Sequence, residues 1–311
     1  MFIYISIDFL FNLYPHLLRI FIPSFLMQCF INTPTSYFRV MDNFTGLIEF
    51  IIGINWSLFY TSKTQLERLQ FRQIWVTLCV ILWSLRLGGF LVYRMFVLGP
   101  LDTRIDDIAK KYGRFSVIAF WLCPHAFWSV ICCLPIALIH AFPMANVKFN
   151  ILDLIGFIFW ICGFLMESFA DRNKLKGKLS RKKIYYHLGS MWNYSRNPNH
   201  CGEVFCWLGL SITALNLFFH HLLYRYNFFM IILSQISPLF TLSIMVFEAT
   251  LASEISNNKR FGNQLEYHQY RQRTSVLWPI TSEIYFRLPK SIRKGLFFDL
   301  DMYNKGLKKT S

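Results

Sequence analysis

Seven stretches of the chain are almost uninterrupted apolar sequence, separated by shorter polar or charged segments. They cover residues 2–31, 44–61, 73–98, 115–142, 151–170, 200–219 and 226–250. A bilayer core requires roughly 20 apolar residues of helix, and these runs are of that order. Pro15, Arg19 and Pro23 interrupt the first, which reads as one membrane segment, either kinked or partly interfacial. Arg86 and the small pair Gly88-Gly89 lie inside the third. From about Ala252 onward the chain turns polar and basic and offers no further spanning run. The pattern predicts an all-α, polytopic membrane protein with about seven transmembrane helices. Residues 1–43 form an N-terminal apolar segment, 44–280 a membrane domain and 281–311 a basic cytosolic tail. No internal repeat is present.

Composition agrees with this class. Of 311 residues, 54% are hydrophobic and 33 are Phe, and the mean hydropathy is +0.36. A soluble fold would leave too much of that surface in water. The formal net charge is +15, but the excess falls between or after the apolar runs. That placement speaks for membrane orientation and anionic ligands, such as lipid head groups or a dinucleotide, before nucleic acid. The loop 171–199 carries Arg172, Lys174, Lys176, Lys178, Arg181, Lys182, Lys183 and Arg196 against the single acid Asp171. The positive-inside rule puts this loop in the cytosol. With seven alternating spans, the linker from Leu101 to Arg114 and the C-terminus are cytosolic too. The chain ends Lys308-Lys309-Thr310-Ser311, which resembles a dilysine endoplasmic-reticulum retrieval signal. Cys29, Cys79, Cys123, Cys132, Cys133, Cys162, Cys201 and Cys206 sit in or beside apolar runs without zinc or redox-motif spacing. They read as small packing hydrophobes. The N-terminus lacks the basic n-region of a cleavable signal peptide.

The densest chemistry lies in Trp192-Asn193-Tyr194-Ser195-Arg196-Asn197-Pro198-Asn199-His200-Cys201-Gly202-Glu203. Asn197 reads as an N-cap and Pro198 as the first helical residue. Such a terminus suits a phosphate, and Arg196 adds charge beside it. Asn199 and Glu203 share a helical face, as do Glu167, Asp171 and Lys174 at the end of the fifth run. Carboxylates there suit ribose hydroxyls or an amide, and the following cations suit phosphates; an internal salt-bridge face is the plainer reading. Tyr267, Tyr270, Arg271 and Arg273 give aromatic faces and guanidinium forks after the last run. They suit either closure over a nucleotide or a membrane-surface helix. Tyr93 is a candidate proton donor or an interfacial anchor. Glu49, His125 and Glu248 are further polar groups within apolar runs. There is no Walker loop, no dinucleotide-binding glycine fingerprint after a strand, no nucleophile elbow and no His-Glu-x-x-His.

Four ordered passages are similar to the integral-membrane family related to steroid 5-alpha-reductases, of the domain-of-unknown-function 1295 type. They are Trp83 to Arg94 (Trp-Ser-Leu-Arg-Leu-Gly-Gly-Phe-Leu-Val-Tyr-Arg), Met166 to Asp171, Asn193 to Glu203, and Glu266 to Thr274. The resemblance covers roughly residues 45–280. It implies a seven-helix reductase of the endoplasmic-reticulum membrane that takes NADPH at a cytosolic-facing cofactor mouth and a steroid or other lipid from the bilayer. It carries cofactor binding onto Glu167, Asp171, Lys174, Tyr194, Arg196, Asn199, His200, Glu203, Tyr267, Tyr270 and Arg273, with Tyr93 as catalytic acid and Glu49 a weaker second. No metal is implied. The family motif reads Ser-Arg-His-Pro-Asn-Tyr-Phe-Gly-Glu; in this chain Asn197 replaces the His, His200 the Tyr and Cys201 the Phe. Two further readings stay open. The same superfamily includes isoprenylcysteine carboxyl methyltransferases and phospholipid methyltransferases, which use S-adenosylmethionine at this mouth. A catalytically degenerate member would serve as a membrane scaffold or lipid binder.

Overall fold

The computed structural model describes residues 7–31, 39–64, 70–98, 112–113, 123–142, 147–179, 190–219 and 227–307. Most of the Leu101–Arg114 linker, residues 115–122 of the fourth run, His125's side chain, the basic stretch 180–189, the His220-His221 turn and Lys308-Lys309 lie outside what is described. Among the described residues there are no strands, and one isolated bridge joins Ser195 to Ser275. Phe71–Leu98, Ile151–Leu179 and Ile231–Phe261 are long and apolar enough to cross a bilayer. The chain is therefore an all-helical membrane protein. It divides into two compact units, Met1–Ile158 with Leu208–Pro238, and Phe159–Trp207 with Leu239–Ser311.

The first unit is built on α1 (Ile7–Ile31), α2 (Arg39–Thr64), α3 (Phe71–Leu98), α4 (Cys123–Cys132) and α5 (Leu134–Ala141). The described part of the fourth apolar run, 123–142, is thus two short helices, broken at Cys133, with Pro135 in the first turn of α5 where a missing N–H costs little. Pro15 and Pro23 lie inside α1 without ending it. Gly53 lets α1 and α2 touch backbone to backbone, since a Cβ there would stand 2.9 Å from Ile20 Cα. A buried polar chain ties four helices together. Ser57 Oγ on α2 lies 2.8 Å from His16 Nδ1 on α1 and 2.8 Å from His140 Nδ1 on α5. Thr77 Oγ1 on α3 is 3.0 Å from His140 Nε2. In a hydrocarbon setting such groups must satisfy one another.

Helix α6 (Ile151–Leu179) starts in this unit on a capping box. Asn150 Oδ1 accepts from Leu152 N at 2.9 Å, and Asp153 Oδ2 accepts from Asn150 N at 3.0 Å. Arg72 then grips Asp153 as a fork, Nε at 2.7 Å and Nη2 at 2.6 Å, with both side chains buried.

In the second unit, α7 (Pro198–Ala214) begins at the predicted helix start. Helix α8 (Asn227–Ile244), which belongs to this unit from Leu239 onward, continues through a π-helical turn, Met245–Thr250, into α9 (Leu251–Phe261). Helices α10 (Leu265–Arg273), α11 (Ser282–Arg287) and α12 (Lys290–Gly295) follow, then a 3-10 turn, Asp301–Asn304. The basic tail is therefore folded through residue 307. Tyr285 and Tyr303 are fully buried in it, and Tyr303 Oη donates to Val246 O at 2.7 Å.

Candidate functional site

Two glycines bring α6 and α7 together within the second unit. A Cβ on Gly163 would stand 2.5 Å from Gly202 O, and one on Gly202 would stand 2.6 Å from Gly163 O and 2.7 Å from Glu167 N. Only hydrogen fits at either position. Further along, Cys206 Sγ lies 3.7 Å from Trp160 O. Rising numbers on α7 meet falling numbers on α6, so the helices cross antiparallel. The crossing turns the Gly163, Glu167, Asp171 face toward Gly202. Asn199 lies three residues before Gly202 and Glu203 one after, so both flank that contact. Glu167 and Asp171 are buried, while Asn199 and Glu203 are partly buried. Asn199 Oδ1 is buried and accepts no hydrogen bond from any described residue.

The strand-like segment entering α7 is stitched to the segment leaving α10. Arg196 N donates to Ser275 O at 2.8 Å, Ile280 N to Tyr194 O at 3.1 Å, and Ser195 Oγ to Leu277 O at 2.8 Å. Asn197 occupies the N-cap position, but the expected cap is not made. Its Oδ1 accepts from no described residue, while Nδ2 donates to Glu254 Oε1 and Val276 O, each at 3.2 Å. The buried Glu254 carboxylate takes the Nδ2 donor and orients the amide away from the capping geometry.

Glu254 on α9 is the centre of this region, and sequence reasoning passed over its importance. Oε2 accepts from Arg196 Nη1 at 3.0 Å and lies 3.2 Å from Arg271 Nη1. Arg196 Nη2 also donates to Asp299 Oδ1 at 2.9 Å. Burial opposes the Arg196 charge, but Glu254 and Asp299 outweigh it and hold its pKa above the ordinary value. The Arg196 charge placed beside a phosphate by the sequence is instead spent inside the protein. Asn258, one helical turn on from Glu254, donates to Tyr303 O at 2.7 Å and accepts from Tyr267 Oη at 3.0 Å and from Arg271.

The remaining predicted residues divide. Tyr267 is buried, and burial raises its phenol pKa; its ring is a core side chain, not a free face. Tyr270 Oη donates to Trp192 O at 2.8 Å, and burial pushes its pKa up, which keeps it a neutral donor. Lys174 Nζ sits 5.5 Å above the Trp192 ring, a cation–π distance. His200 Nδ1 is 2.8 Å from Thr250 Oγ1 at the end of the π turn, a feature frequent at functional sites. Tyr194 and Arg273 are exposed, with the Arg273 guanidinium 5.9 Å from the Phe286 ring. Tyr93 belongs to α3 in the other unit and is 57% exposed, whereas Glu49 on α2 is fully buried. No group of three or more metal-ligating side chains occurs among the described residues.

These features define an all-helical membrane protein with a polar cluster at a glycine-mediated helix crossing. Residues 30–274 match the model of a family described as protein of unknown function, DUF1295, and the chain belongs to that family. No curated protein and no solved structure matches it.

Proposed function

We propose that the protein is a membrane oxidoreductase that uses NADPH to reduce a carbon–carbon double bond of a steroid or other lipid. The observation that carries this reading is Asn199 Oδ1, a buried acceptor without a described donor on the helix face that meets Glu167. An unfilled buried acceptor costs free energy unless a ligand donates to it. A nicotinamide carboxamide or a ribose hydroxyl is such a donor. Glu167, Asp171 and Glu203 supply further acceptors at the crossing. Lys174 and the basic side chains after it meet the phosphates, with Tyr194, His200, Tyr270 and Arg273 closing the rim. When bound, NADPH supplies a hydride to the β-carbon of a conjugated enone. The protein's part is to hold a proton donor at the carbonyl and keep water away. The candidate for that donor is Tyr93, with Glu49 the weaker second. In this scheme α1, α2, α3, the α4–α5 pair, α6, α7 and α8 make seven crossings of the endoplasmic-reticulum membrane, with the 171–199 loop and the C-terminus cytosolic.

Asn197 bears on the rival S-adenosylmethionine reading. It stands where the methyltransferases carry a His, and its amide is already engaged by Glu254. The test is thermal unfolding of detergent-purified protein with NADPH and with S-adenosylmethionine. A ligand that binds only the folded state raises its stability. A rise with NADPH alone is expected. A rise with S-adenosylmethionine alone moves the protein to the methyltransferases, and no response from folded protein leaves the scaffold reading in place.

A further inference from the structure

The second unit contains a cavity of about 370 Å³ that the proposed reductase chemistry does not use. Its walls come from Arg196 and α10 on one side and from α12 and the 299–307 segment on the other. All of this second wall lies beyond residue 274, outside the residues that match the family. The cations facing it are Arg196, Arg271, Lys290, Arg293 and Lys294; the acids are Asp299 and Asp301.

Most of this charge is already balanced. Arg196 and Arg271 share Glu254, Arg196 also holds Asp299, and Lys294 pairs with Asp301 at 2.6 Å. Lys290 and Arg293 make no ion pair among the described residues. Arg293 is nevertheless held rigidly: Nε donates to Leu288 O at 3.0 Å, Nη1 to Gln272 O at 3.4 Å, and Nη2 to Phe286 O. Its guanidinium also lies 4.9 Å from the Tyr285 ring centroid. The cavity thus keeps two unbalanced positive charges, one of them fixed in place. That is the complement of a phosphate.

The surroundings are apolar. Ile284, Phe286, Ile292 and Leu296, on or next to α11 and α12, are 53%, 55%, 41% and 60% exposed. The guanidinium of Arg293, which lines the cavity, lies 6.0 Å from the Phe286 ring. Short helices that expose bulky apolar side chains among lysines and arginines are suited to an interface of headgroups and acyl chains. The protein is bound to a bilayer by its long apolar helices, so a lipid surface is the apolar phase at hand. We propose that this cavity binds the phosphate of an anionic phospholipid headgroup, with Lys290 and Arg293 as its cations and the α11–α12 apolar side chains against the acyl region.

The experiment uses full-length protein in an uncharged detergent. Thermal unfolding is followed with short-chain phosphatidic acid, short-chain phosphatidylcholine, inorganic phosphate and NADPH, each added separately. Phosphatidic acid is expected to raise the midpoint by about 5 °C at saturation, with phosphatidylcholine and phosphate giving little. Lys290 is exposed, so Lys290→Glu should fold; it should lose the phosphatidic acid response and keep any NADPH response. Lys148→Glu, an exposed lysine of the first unit, should lose neither. Equal responses to the two lipids would mean apolar contact alone and overturn the proposal. An equal response to inorganic phosphate would reassign the cavity to a soluble anion. Loss of an NADPH response in Lys290→Glu would make the cavity part of the nucleotide site. Absence of any phosphatidic acid response would also overturn it.

Discussion

Arg196 Nη1 donates to Glu254 Oε2 at 3.0 Å, and both side chains are almost completely withdrawn from solvent. The pair joins residues 58 positions apart in sequence and fastens the start of α7 to α9. Removing one member leaves the other as a buried charge, which costs about 3–5 kcal/mol. Arg196→Ala is therefore expected to lower the thermal midpoint severely, with Glu254→Gln milder because the amide still accepts a hydrogen bond. Detergent-solubilised variants with wild-type midpoints would show that this pair does not hold the unit together.

The fate of Arg196 illustrates what the sequence conveys and what it does not. The helix start at Pro198 is written in local chemistry, and α7 begins there. The face shared by Glu167 and Asp171 follows from helical spacing alone. Arg196 also has the local context of a phosphate ligand, yet its partners Glu254 and Asp299 come from distant segments that no periodicity links to it. The same limit hid the Arg72–Asp153 fork, and it hid the folding of residues 281–307, whose polar composition reads as a solvated tail. Tyr285 and Tyr303 are buried there because α9 offers a polar seam, Glu254 and Asn258, on which the segment can dock. Hydropathy likewise marks the fourth apolar run but not its division at Cys133, which depends on Pro135.

The α6–α7 contact depends on two missing side chains. In Gly202→Ala the new Cβ would meet Gly163 O at 2.6 Å and Glu167 N at 2.7 Å. Both are backbone atoms of a helix and cannot step aside singly. The helices must separate, at a cost of about 1–3 kcal/mol. The expected result is a lower midpoint. Gly295→Ala is the control, because a Cβ there meets nothing within 4 Å. Equal effects of the two substitutions would refute the close approach.

Ser57 bridges two buried histidine nitrogens, one on either side. Ser57→Ala leaves both rings without that partner, and each unsatisfied polar group costs about 1–3 kcal/mol. Ser62, one and a half turns along the same helix, is exposed and bonds to Phe59 O. Ser62→Ala is expected to change the midpoint little. A Ser57→Ala protein as stable as wild type would show that water or rotated side chains replace the hydroxyl.

Asn199→Ala separates a ligand-binding role from a structural one. Asn199 Oδ1 accepts from no described residue, so its removal takes away a buried acceptor without orphaning a donor for it. The unliganded protein is expected to keep its midpoint, within the ~1 kcal/mol that ordinary substitutions cost. On the proposed NADPH reading, the stabilisation by NADPH should fall at the same time, because a donor on the nucleotide loses its acceptor. Dose–response unfolding curves with NADPH measure both quantities in one titration. If the unliganded midpoint drops as far as in Arg196→Ala, Asn199 is a structural residue with a partner of its own. If the midpoint holds and the NADPH response is undiminished, Asn199 is not a nucleotide contact, and the reductase reading loses the observation on which it rests.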